Sequence, residues 1–419
     1  MPEPAVFDVA DERLARAAWS RLTEPGDAVA GALVAALGAP GALAWLYDAV
    51  GDPVRARHAL VAAAGGGPSS ALAEVVAPSG AEPEGVPAAA SRVLRALARW
   101  APRLDGLDPR RELRVLDRLG GTFLVPGDPG WPPGVDDLAT AAPLALWVRG
   151  EPDLAALARR SVAVVGARAC TDYGRFVTAD VATGLVGRGF TVVSGGAYGV
   201  DAAAHRGALA ADGRTVAFLA GGVDRLYPAG NVDLLHAVTA ARGSVVSEVP
   251  PGSVPSRVRF LLRNRLIAAF ASATVVVEAA WRSGSLSTAA RAAELSRPVG
   301  VVPGPVTSAA SSGCHRLLRD GVAVCVTDAA EVAELAGELV RDAASSDAPA
   351  GQERRAPQDD LDPVETRAWD SLPLRAGRPV DAVARAAGLS VPETVAALGR
   401  LELTGRAERV AGGWRRGDP

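Results

Sequence analysis

Short apolar runs alternate with longer amphipathic stretches through the central part of the chain. The apolar runs are continuous and rich in β-branched residues, which is typical of strands buried on both faces of a parallel sheet. Helical crossovers between such strands give an open, doubly wound α/β sheet that is mostly parallel. The predicted strands are residues 162–165, 191–194, 216–219, 244–247, 274–277 and 299–302.

The pattern differs on either side of this sheet. Residues 1–105 are rich in alanine and place apolar residues at helical spacing, with Asp11 opening the first helix, so they predict a helical domain. Residues 110–335 hold the sheet domain, which begins with short strands and turns. Polar residues without periodicity at 336–360 predict a linker.

The last part of the chain predicts a small domain of its own. Residues 361–419 read as three helices followed by a hairpin, which is the order of a winged helix. Its helices are predicted at 363–372, 379–387 and 391–404, and its hairpin at 407–416.

Composition narrows the class of protein. The chain has 419 residues, 49% of them apolar, and a net charge of −3, so it is not coated in positive charge, although a local basic site remains compatible with these values. All 44 basic residues are arginine, so every phosphate contact by a charged side chain must use a guanidinium group. That group binds phosphate in a bidentate geometry.

Cysteine usage and the N-terminus indicate an intracellular protein. The three cysteines, Cys170, Cys314 and Cys325, form no CxxC pair, so we expect neither a disulfide framework nor a metal site. The N-terminal segment is amphipathic and acidic, unlike a secretory signal. We count no uncharged apolar run of about 18 residues, the length that spans a bilayer. We therefore expect a cytoplasmic protein without a membrane segment or cofactor.

The loops that follow the predicted strands carry the candidate chemistry. Ligands of doubly wound sheets bind beyond the carboxyl ends of the strands. Several of these loops are rich in glycine and lead into helices, so their backbone N–H groups are suited to anions. Arg168 follows the first strand, and Arg263 and Arg265 flank Asn264 at what we predict to be a helix start. The combination predicts phosphate binding at one edge of the sheet.

The same loops carry a family resemblance. Gly166-Ala167-Arg168, SGGAYGVDAAAHRGAL (194–209), GGVDRLYPAGN (221–231), SEVPPG (247–252), RNRLIAAF (263–270), VVVEAAWRSGSLSTA (275–289), VPGPV (302–306) and SSGCHRLLRDG (311–321) occur in this order. Together they resemble the DNA-processing protein A family (DprA, also called Smf). The resemblance covers most of residues 110–330.

The resemblance implies a fold, an activity and a site. It implies an extended Rossmann-like domain, a helical accessory domain of the SAM or helix-hairpin-helix-like kind, and a winged helix. It implies a non-catalytic homodimer that binds single-stranded DNA without sequence preference. It also implies loading of the recombinase RecA onto incoming DNA in natural transformation and recombination, displacing or working alongside single-strand-binding protein. The implied nucleic-acid-binding residues are Gly166, Ala167, Arg168, Ser194, Gly195, Gly196, Ala197, Phe260, Arg263, Asn264, Arg265, Ser283, Gly284 and Ser285.

Two departures from the family pattern change which residues we expect to contact phosphate. Ala167 stands where members commonly have serine, which removes a hydroxyl donor. Leu261 and Leu262 follow Phe260 where members commonly have proline and then a polar or basic residue. We therefore expect the arginines to carry the phosphate contacts.

Several side chains allow two interpretations. Phe260 is suited to stacking on a base or to core packing, and neither is favoured. Asp201 and His205 lie four residues apart on a helix, and we predict a structural hydrogen bond between them rather than a catalytic pair. Glu248 and Glu278 follow strands, and we expect them to orient arginines or loop amides.

An enzyme acting on a nucleotide is the rival hypothesis. Phosphoribohydrolases of the lysine-decarboxylase-like family have a related fold and a Pro-Gly-Gly-x-Gly-Thr motif with a following glutamate. Here Ser283-Gly284-Ser285 is followed by no acid until Glu294, so we favour DNA binding. For the winged helix, duplex binding and protein contact or dimer support both stay open, because acids lie along its helices and arginines gather near its end.

Overall fold

The predicted strands form the middle of a nine-stranded sheet. The computed structural model describes residues 5–52, 54–56, 86–337, 361–373 and 376–417, and the chain divides into two units, Met1–Ala344 and Ser345–Pro419. The sheet lies in the first unit. Its strands are β1 (Thr122–Leu124), β2 (Leu146–Gly150), β3 (Ser161–Val165), β4 (Thr191–Ser194), β5 (Thr215–Leu219), β6 (Ser244–Ser247), β7 (Ala273–Val276), β8 (Val299–Val301) and β9 (Val324–Cys325).

The strand order confirms the doubly wound, mostly parallel sheet. The order is β1-β2-β6-β5-β4-β3-β7-β8-β9, and β2 pairs antiparallel with β1 and β6 while the other pairs are parallel. Each of the six predicted strands agrees with an observed strand to within one residue. The strand order reverses beside β3, which lies between β4 and β7, so a ligand crevice is expected between the loops that follow β3 and β7.

Helices cover both faces of this sheet, and four further helices among the described residues precede its first strand in the chain. They are α1 (Glu12–Leu22), α2 (Ala28–Gly51), α3 (Val86–Trp100), α4 (Pro109–Arg118), α5 (Leu154–Ala158), α6 (Asp172–Gly187), α7 (Val200–Ala210), α8 (Val232–Ala240), α9 (Arg257–Phe270), α10 (Ser285–Glu294), α11 (Ser312–Arg319) and α12 (Ala329–Ala336). Short 3-10 turns occupy Ala101–Arg103, Pro133–Ala141, Ala229–Asn231 and Ala309–Ser311. The Asp11 carboxylate accepts from the Leu14 amide and caps α1, as its position in the sequence predicts.

Strand alternation divides the core into two layers. Val162 and Val164 of β3 join a buried cluster with α6 and α7, whereas Ala163 and Val165 join a cluster on the opposite face with α9 and α10. On that second face the rings of Phe218 and Phe270 meet edge to face at 5.3 Å. Helix α9 is therefore anchored in the core at its C-terminal end, while its N-terminal half lies near the strand ends.

The N-terminal helices pack around two buried tryptophans. The rings of Trp19 and Trp100 meet edge to face at 5.3 Å, and the Trp19 indole N–H donates to the Ala39 carbonyl oxygen at 3.1 Å. The Trp147 indole of β2 donates to the Ser20 hydroxyl at 3.3 Å, so the helices are also tied to the sheet. This region and the sheet belong to the same unit.

The expectation that no uncharged apolar run reaches about 18 residues was wrong for one segment. Residues 28–47 carry no charge, and helix α2 is long and apolar enough, by length and composition alone, to cross a membrane. The helix is interrupted at Gly38, where φ is 72°, and half of its most apolar window is buried inside the protein. Leu33, Leu43 and Leu46 pack in the cluster around Trp19, as in a core helix.

The second unit has the predicted winged-helix order. It contains α13 (Pro363–Asp370), α14 (Val380–Ala387), α15 (Val391–Leu403) and the antiparallel strands β10 (Ala407–Val410) and β11 (Gly413–Arg416). Reciprocal capping by Asp362 with Glu365, and by Ser390 with Glu393, starts α13 and α15. Most of the predicted linker, residues 338–360, lies outside the described residues.

Candidate nucleic-acid interface

Two residues in the middle of helix α9 bond to groups at the carboxyl ends of several strands. The Arg263 Nη1 donates to the Gly195 carbonyl oxygen after β4 at 2.8 Å and also to the Phe218 carbonyl oxygen of β5. The Asn264 amide donates to the Gly284 carbonyl oxygen at 3.2 Å and to the Ser287 hydroxyl at 2.8 Å. Two adjacent residues of α9 thus connect the loop after β4, the carboxyl end of strand β5 and the loop after β7.

The Arg263-Asn264-Arg265 triplet lies within α9 and not at its start, so that prediction was wrong. The helix begins at Arg257 and is capped by the Ser256 hydroxyl. Neighbouring positions of a helix point about 100° apart, so the two arginines face different surroundings. Each has only 5% of its surface exposed. Their guanidinium groups are therefore engaged inside the protein.

Arg265 links the sheet to the N-terminal helices. Its two terminal nitrogens each donate to a Glu248 carboxylate oxygen at 2.7 Å, and its Nε donates to the Ala141 carbonyl oxygen at 3.0 Å. Glu248 also accepts from the Gly26 amide at 3.2 Å, in the turn between α1 and α2. Glu248 therefore orients an arginine, as the sequence predicted.

The loop after β4 is closed by an internal carboxylate. The amides of Gly195 and Ala197, expected to be anion donors, donate to Asp201 Oδ2 at 3.1 and 3.3 Å. Ser194 donates its hydroxyl to the Val164 carbonyl oxygen at 2.7 Å. The Asn231 side chain donates to the Gly196 carbonyl oxygen at 3.0 Å. These groups hold the loop in shape.

The charged side chains of Asp201 and Arg263 are buried beneath these loops. Burial raises the pKa of Asp201, against the opposite effects of Arg263 and of the two loop amides. Burial lowers the pKa of Arg263 to about 10, although the Asp201 carboxylate acts in the opposite direction. The two opposite charges therefore offset each other beneath the surface.

The predicted pairing of Asp201 with His205 was wrong. The His205 Nδ1 lies 2.7 Å from the Thr215 hydroxyl, which itself donates to the Val192 carbonyl oxygen at 2.7 Å. The hydroxyl therefore accepts from the imidazole, and Nδ1 carries the proton. Burial lowers the pKa of His205 to about 3, so the ring is neutral. Its role is structural.

The loop after β3 is held by Glu278, which is 2% exposed. The carboxylate accepts from the Thr171 amide at 2.9 Å and from the Thr171 hydroxyl at 2.6 Å, while the Ala167 amide donates to the Glu278 carbonyl oxygen at 2.7 Å. The prediction that Glu278 orients loop amides is confirmed. Gly199, with φ of 77°, lets the neighbouring loop approach, because a Cβ there would lie 2.2 Å from the Ala167 carbonyl oxygen.

Arg168 is the predicted arginine that reaches the surface. Its guanidinium lies 4.8 Å from the centroid of the half-buried Phe260 ring, and the Tyr227 ring lies 5.8 Å from Phe260 on centroids. Tyr227 is 49% exposed. We call these three residues the Arg168–Phe260–Tyr227 stack. Within the described part of the chain, Arg168 makes no ion pair, so its charge is open to an anionic ligand.

Sequence reasoning missed Tyr227, although the residue lies in one of the quoted motifs. The signal available was an aromatic residue in a loop rich in glycine and proline, at the ligand edge of the sheet. The remaining predicted residues form the start of α10. There the Ser283 and Ser285 hydroxyls lie 2.8 Å apart, and Gly284 is exposed while its carbonyl accepts from Asn264.

The exposed edge thus offers an uncompensated guanidinium beside aromatic rings, above a layer of buried and paired groups. An arginine of this kind binds phosphate, and exposed rings stack on nucleobases. Among the described residues, no group of three or more His, Cys, Asp or Glu side chains is placed to hold a metal ion.

Comparison with known proteins relates both units to one family. Residues 122–337 match the family model described as DNA recombination-mediator protein A, and residues 352–413 match the DprA winged helix domain. A putative DNA processing protein DprA of Mycobacterium tuberculosis is 46% identical over 318 residues, covering 73% of this chain and 79% of its own. Protein Smf of Escherichia coli is 36% identical over 296 residues, covering 70% and 77%.

Solved structures of two proteins named DNA processing protein A align with part of this chain. DNA processing protein A of Streptococcus pneumoniae aligns with a TM-score of 0.51 at 32% identity, covering 62% of this chain and 85% of its own. A structure of DNA processing protein A from Helicobacter pylori, described for its single-stranded DNA binding mode, aligns with a TM-score of 0.46 at 30% identity, covering 51% and 93%.

Proposed function

The chain belongs to the DNA-processing protein A (DprA/Smf) family, whose members are DNA-processing proteins, and from that premise we propose that it binds single-stranded DNA without sequence preference. The observation that carries this proposal is the Arg168–Phe260–Tyr227 stack, in which a guanidinium without an ion pair among the described residues lies over an accessible ring. Family membership supports DNA as the ligand, and the stack supports its single-stranded form, whose bases are open to stacking.

The division of labour in this site follows from burial. Arg168 neutralises phosphate, and Phe260 and Tyr227 stack on bases, which tolerates any sequence because every base has a π-face. Arg263 and Asn264 act indirectly, because they fix the loops that present the stack. The amides of Gly195 and Ala197 hold the loop through Asp201 and do not serve as phosphate donors in this proposal.

A charge-matched pair of variants tests the site. Arg168→Gln removes the exposed cation at the carboxyl edge of the sheet. Arg214→Gln removes an exposed arginine at the amino end of β5, on the opposite edge. We expect Arg168→Gln to weaken binding of oligo(dT) and to reduce the slope of log affinity against log salt by about 0.7. Arg214→Gln should leave both unchanged. Equal behaviour of the two variants would remove Arg168 from the site.

We further propose that the DNA-bound protein is a cytoplasmic, non-catalytic homodimer that loads RecA during recombination of incoming DNA. Family membership supports this role. The test is the rate of RecA filament formation on single strands coated with single-strand-binding protein. We expect the chain to accelerate nucleation, and Arg168→Gln to lose that effect in proportion to its loss of DNA affinity. Normal DNA binding without any acceleration would refute the loading role and leave the binding site intact.

A further inference from the structure

Trp281 is unusual among the tryptophans of the chain. All eight are in described residues; six are buried, Trp369 is half-buried, and Trp281 has 51% of its surface exposed. An indole left in water at a ligand edge forgoes one of the largest burial gains available to a side chain. Its exposure is therefore explained more simply by a ligand than by packing.

The backbone around Trp281 is fixed by hydrogen bonds. The Ser283 amide donates to the Ala280 carbonyl oxygen at 2.9 Å, and the Gly313 amide donates to the Ala279 carbonyl oxygen at 2.7 Å. The Gly284 carbonyl accepts from Asn264 of α9. The indole thus projects from a rigid turn after β7, which lowers the entropy lost when a ligand binds it.

Positive charge accompanies this indole. The Arg316 guanidinium of α11 lies 4.8 Å from the centroid of the Trp281 ring, and Arg282 beside it is exposed. In the part of the chain that the structure describes, neither arginine makes an ion pair. Trp281 and Arg316 thus resemble Phe260 and Arg168. In each pair a guanidinium lies near an aromatic ring, and no carboxylate among the described residues neutralises it.

The turn of Trp281 lies near the first stack. Phe260 and Asn264 are four residues apart on α9, so their Cβ atoms lie about 6 Å apart. Asn264 bonds the Gly284 carbonyl at 3.2 Å, and the three residues from Gly284 back to Trp281 span at most about 10 Å. With the lengths of the intervening side chains added, the two rings are thus within about 30 Å of each other. That distance corresponds to about nine nucleotides at about 3.4 Å each, and to fewer in an extended strand.

We propose that Trp281 and Arg316 form a second stacking and phosphate site that binds the same DNA strand a few nucleotides away from the Arg168–Phe260–Tyr227 stack. This inference rests on the proposed function and deepens it, because it gives the site a length and a second anchor. The strand follows the carboxyl edge of the sheet from the loops after β3 and β5 to the turn after β7.

Oligonucleotide length separates the two sites. Oligo(dT) of two nucleotides is too short to bridge two separate anchors and occupies the first stack alone, whereas about 16 nucleotides reach both. We expect Trp281→Ala to weaken binding of the longer oligomer about 5- to 10-fold and to leave the shorter unchanged. Trp281→Phe should restore most of the loss. Phe260→Ala should weaken binding of both lengths, and Arg214→Gln of neither. The fluorescence of Trp281, obtained as the emission of wild type minus that of Trp281→Phe, should decrease when the longer oligomer is added.

The outcomes separate the inference from the proposed function. If wild type binds both lengths and Trp281→Ala binds the longer one equally well, the second site is refuted and the first stands. Equal losses on both lengths would also refute it, because Trp281 would then belong to the first site. Failure of wild type to bind oligo(dT) of either length would refute the proposed function itself.

Discussion

Replacing Arg265 with methionine decides whether this arginine of the triplet acts inside the protein or on DNA. The variant leaves Glu248 buried without its bidentate partner, and removal of one member of a buried ion pair costs about 3–5 kcal/mol. The Gly26 amide still donates to Glu248, so we expect the lower end, about 3 kcal/mol. Urea denaturation, monitored by tryptophan fluorescence, measures this loss of unfolding free energy.

A double variant supplies the control for that measurement. In Arg265→Met with Glu248→Leu both charges are replaced by apolar groups, which is often close to neutral for a buried pair. We expect the double variant to recover most of the stability lost by either single one. Oligo(dT) affinity of the folded protein should stay within about twofold of wild type in all three, since no guanidinium in contact with DNA is removed.

The opposite result would place Arg265 in contact with DNA. If Arg265→Met unfolds at the urea concentration of wild type but loses affinity and part of the salt dependence, Arg265 contacts phosphate. The burial of its side chain would then not describe the DNA-bound protein.

Three further results are expected. Phe260→Ala should lose about 1–3 kcal/mol of oligo(dT) binding energy in a fluorescence anisotropy titration while Phe260→Tyr retains it, and equal affinity of both variants would exclude stacking. Burial lowers the pKa of His205 to about 3, so below pH 6.5 the unfolded chain takes up a proton that the folded chain does not. Wild type should therefore lose stability as the pH falls from 6.5 toward 3. In urea unfolding, His205→Gln should lose less stability than wild type, by about 1.4 kcal/mol per pH unit. Gly199→Ala should destabilise the fold by more than about 1 kcal/mol, since its φ is 77° and a Cβ would meet the Ala167 carbonyl oxygen, and a wild-type urea midpoint would contradict that geometry.

The strands and the winged helix were predictable because their signals are local. A run such as 162–165 is apolar at every position, and buried parallel strands require that pattern. Capping by Ser390 with Glu393 likewise marks a helix start within four residues. Such features depend on neighbours in the sequence and not on the rest of the fold.

The site was only partly predictable because its contacts are distant in sequence. The edge of the sheet and the role of Glu278 followed from position after a strand. Nothing near Arg265 shows that Glu248 neutralises it or that Gly26 completes the contact. Likewise, the free amides expected in the loop after β4 are occupied by Asp201, which lies on the next helix. A charged residue in a motif therefore cannot be assigned to a ligand until its partner in the fold is known.

Exposure of aromatic residues was also beyond sequence reasoning. The sequence left Phe260 open to base stacking or core packing. The structure places its ring 4.8 Å from the Arg168 guanidinium and 5.8 Å from the Tyr227 ring, outside the buried clusters. Trp281 carries no local signal that distinguishes it from the six buried tryptophans. Accessibility depends on the packing of the whole edge.

Comparing oligo(dT) with duplex DNA of equal length, at two salt concentrations, shows whether the protein binds single strands through Arg168. We expect the full chain to bind the single strand more tightly than the duplex, with affinity that falls as salt rises and that depends on Arg168. Preference for the duplex, or single-strand binding that Arg168→Gln leaves unchanged at both salt concentrations, would rule out this mode of binding.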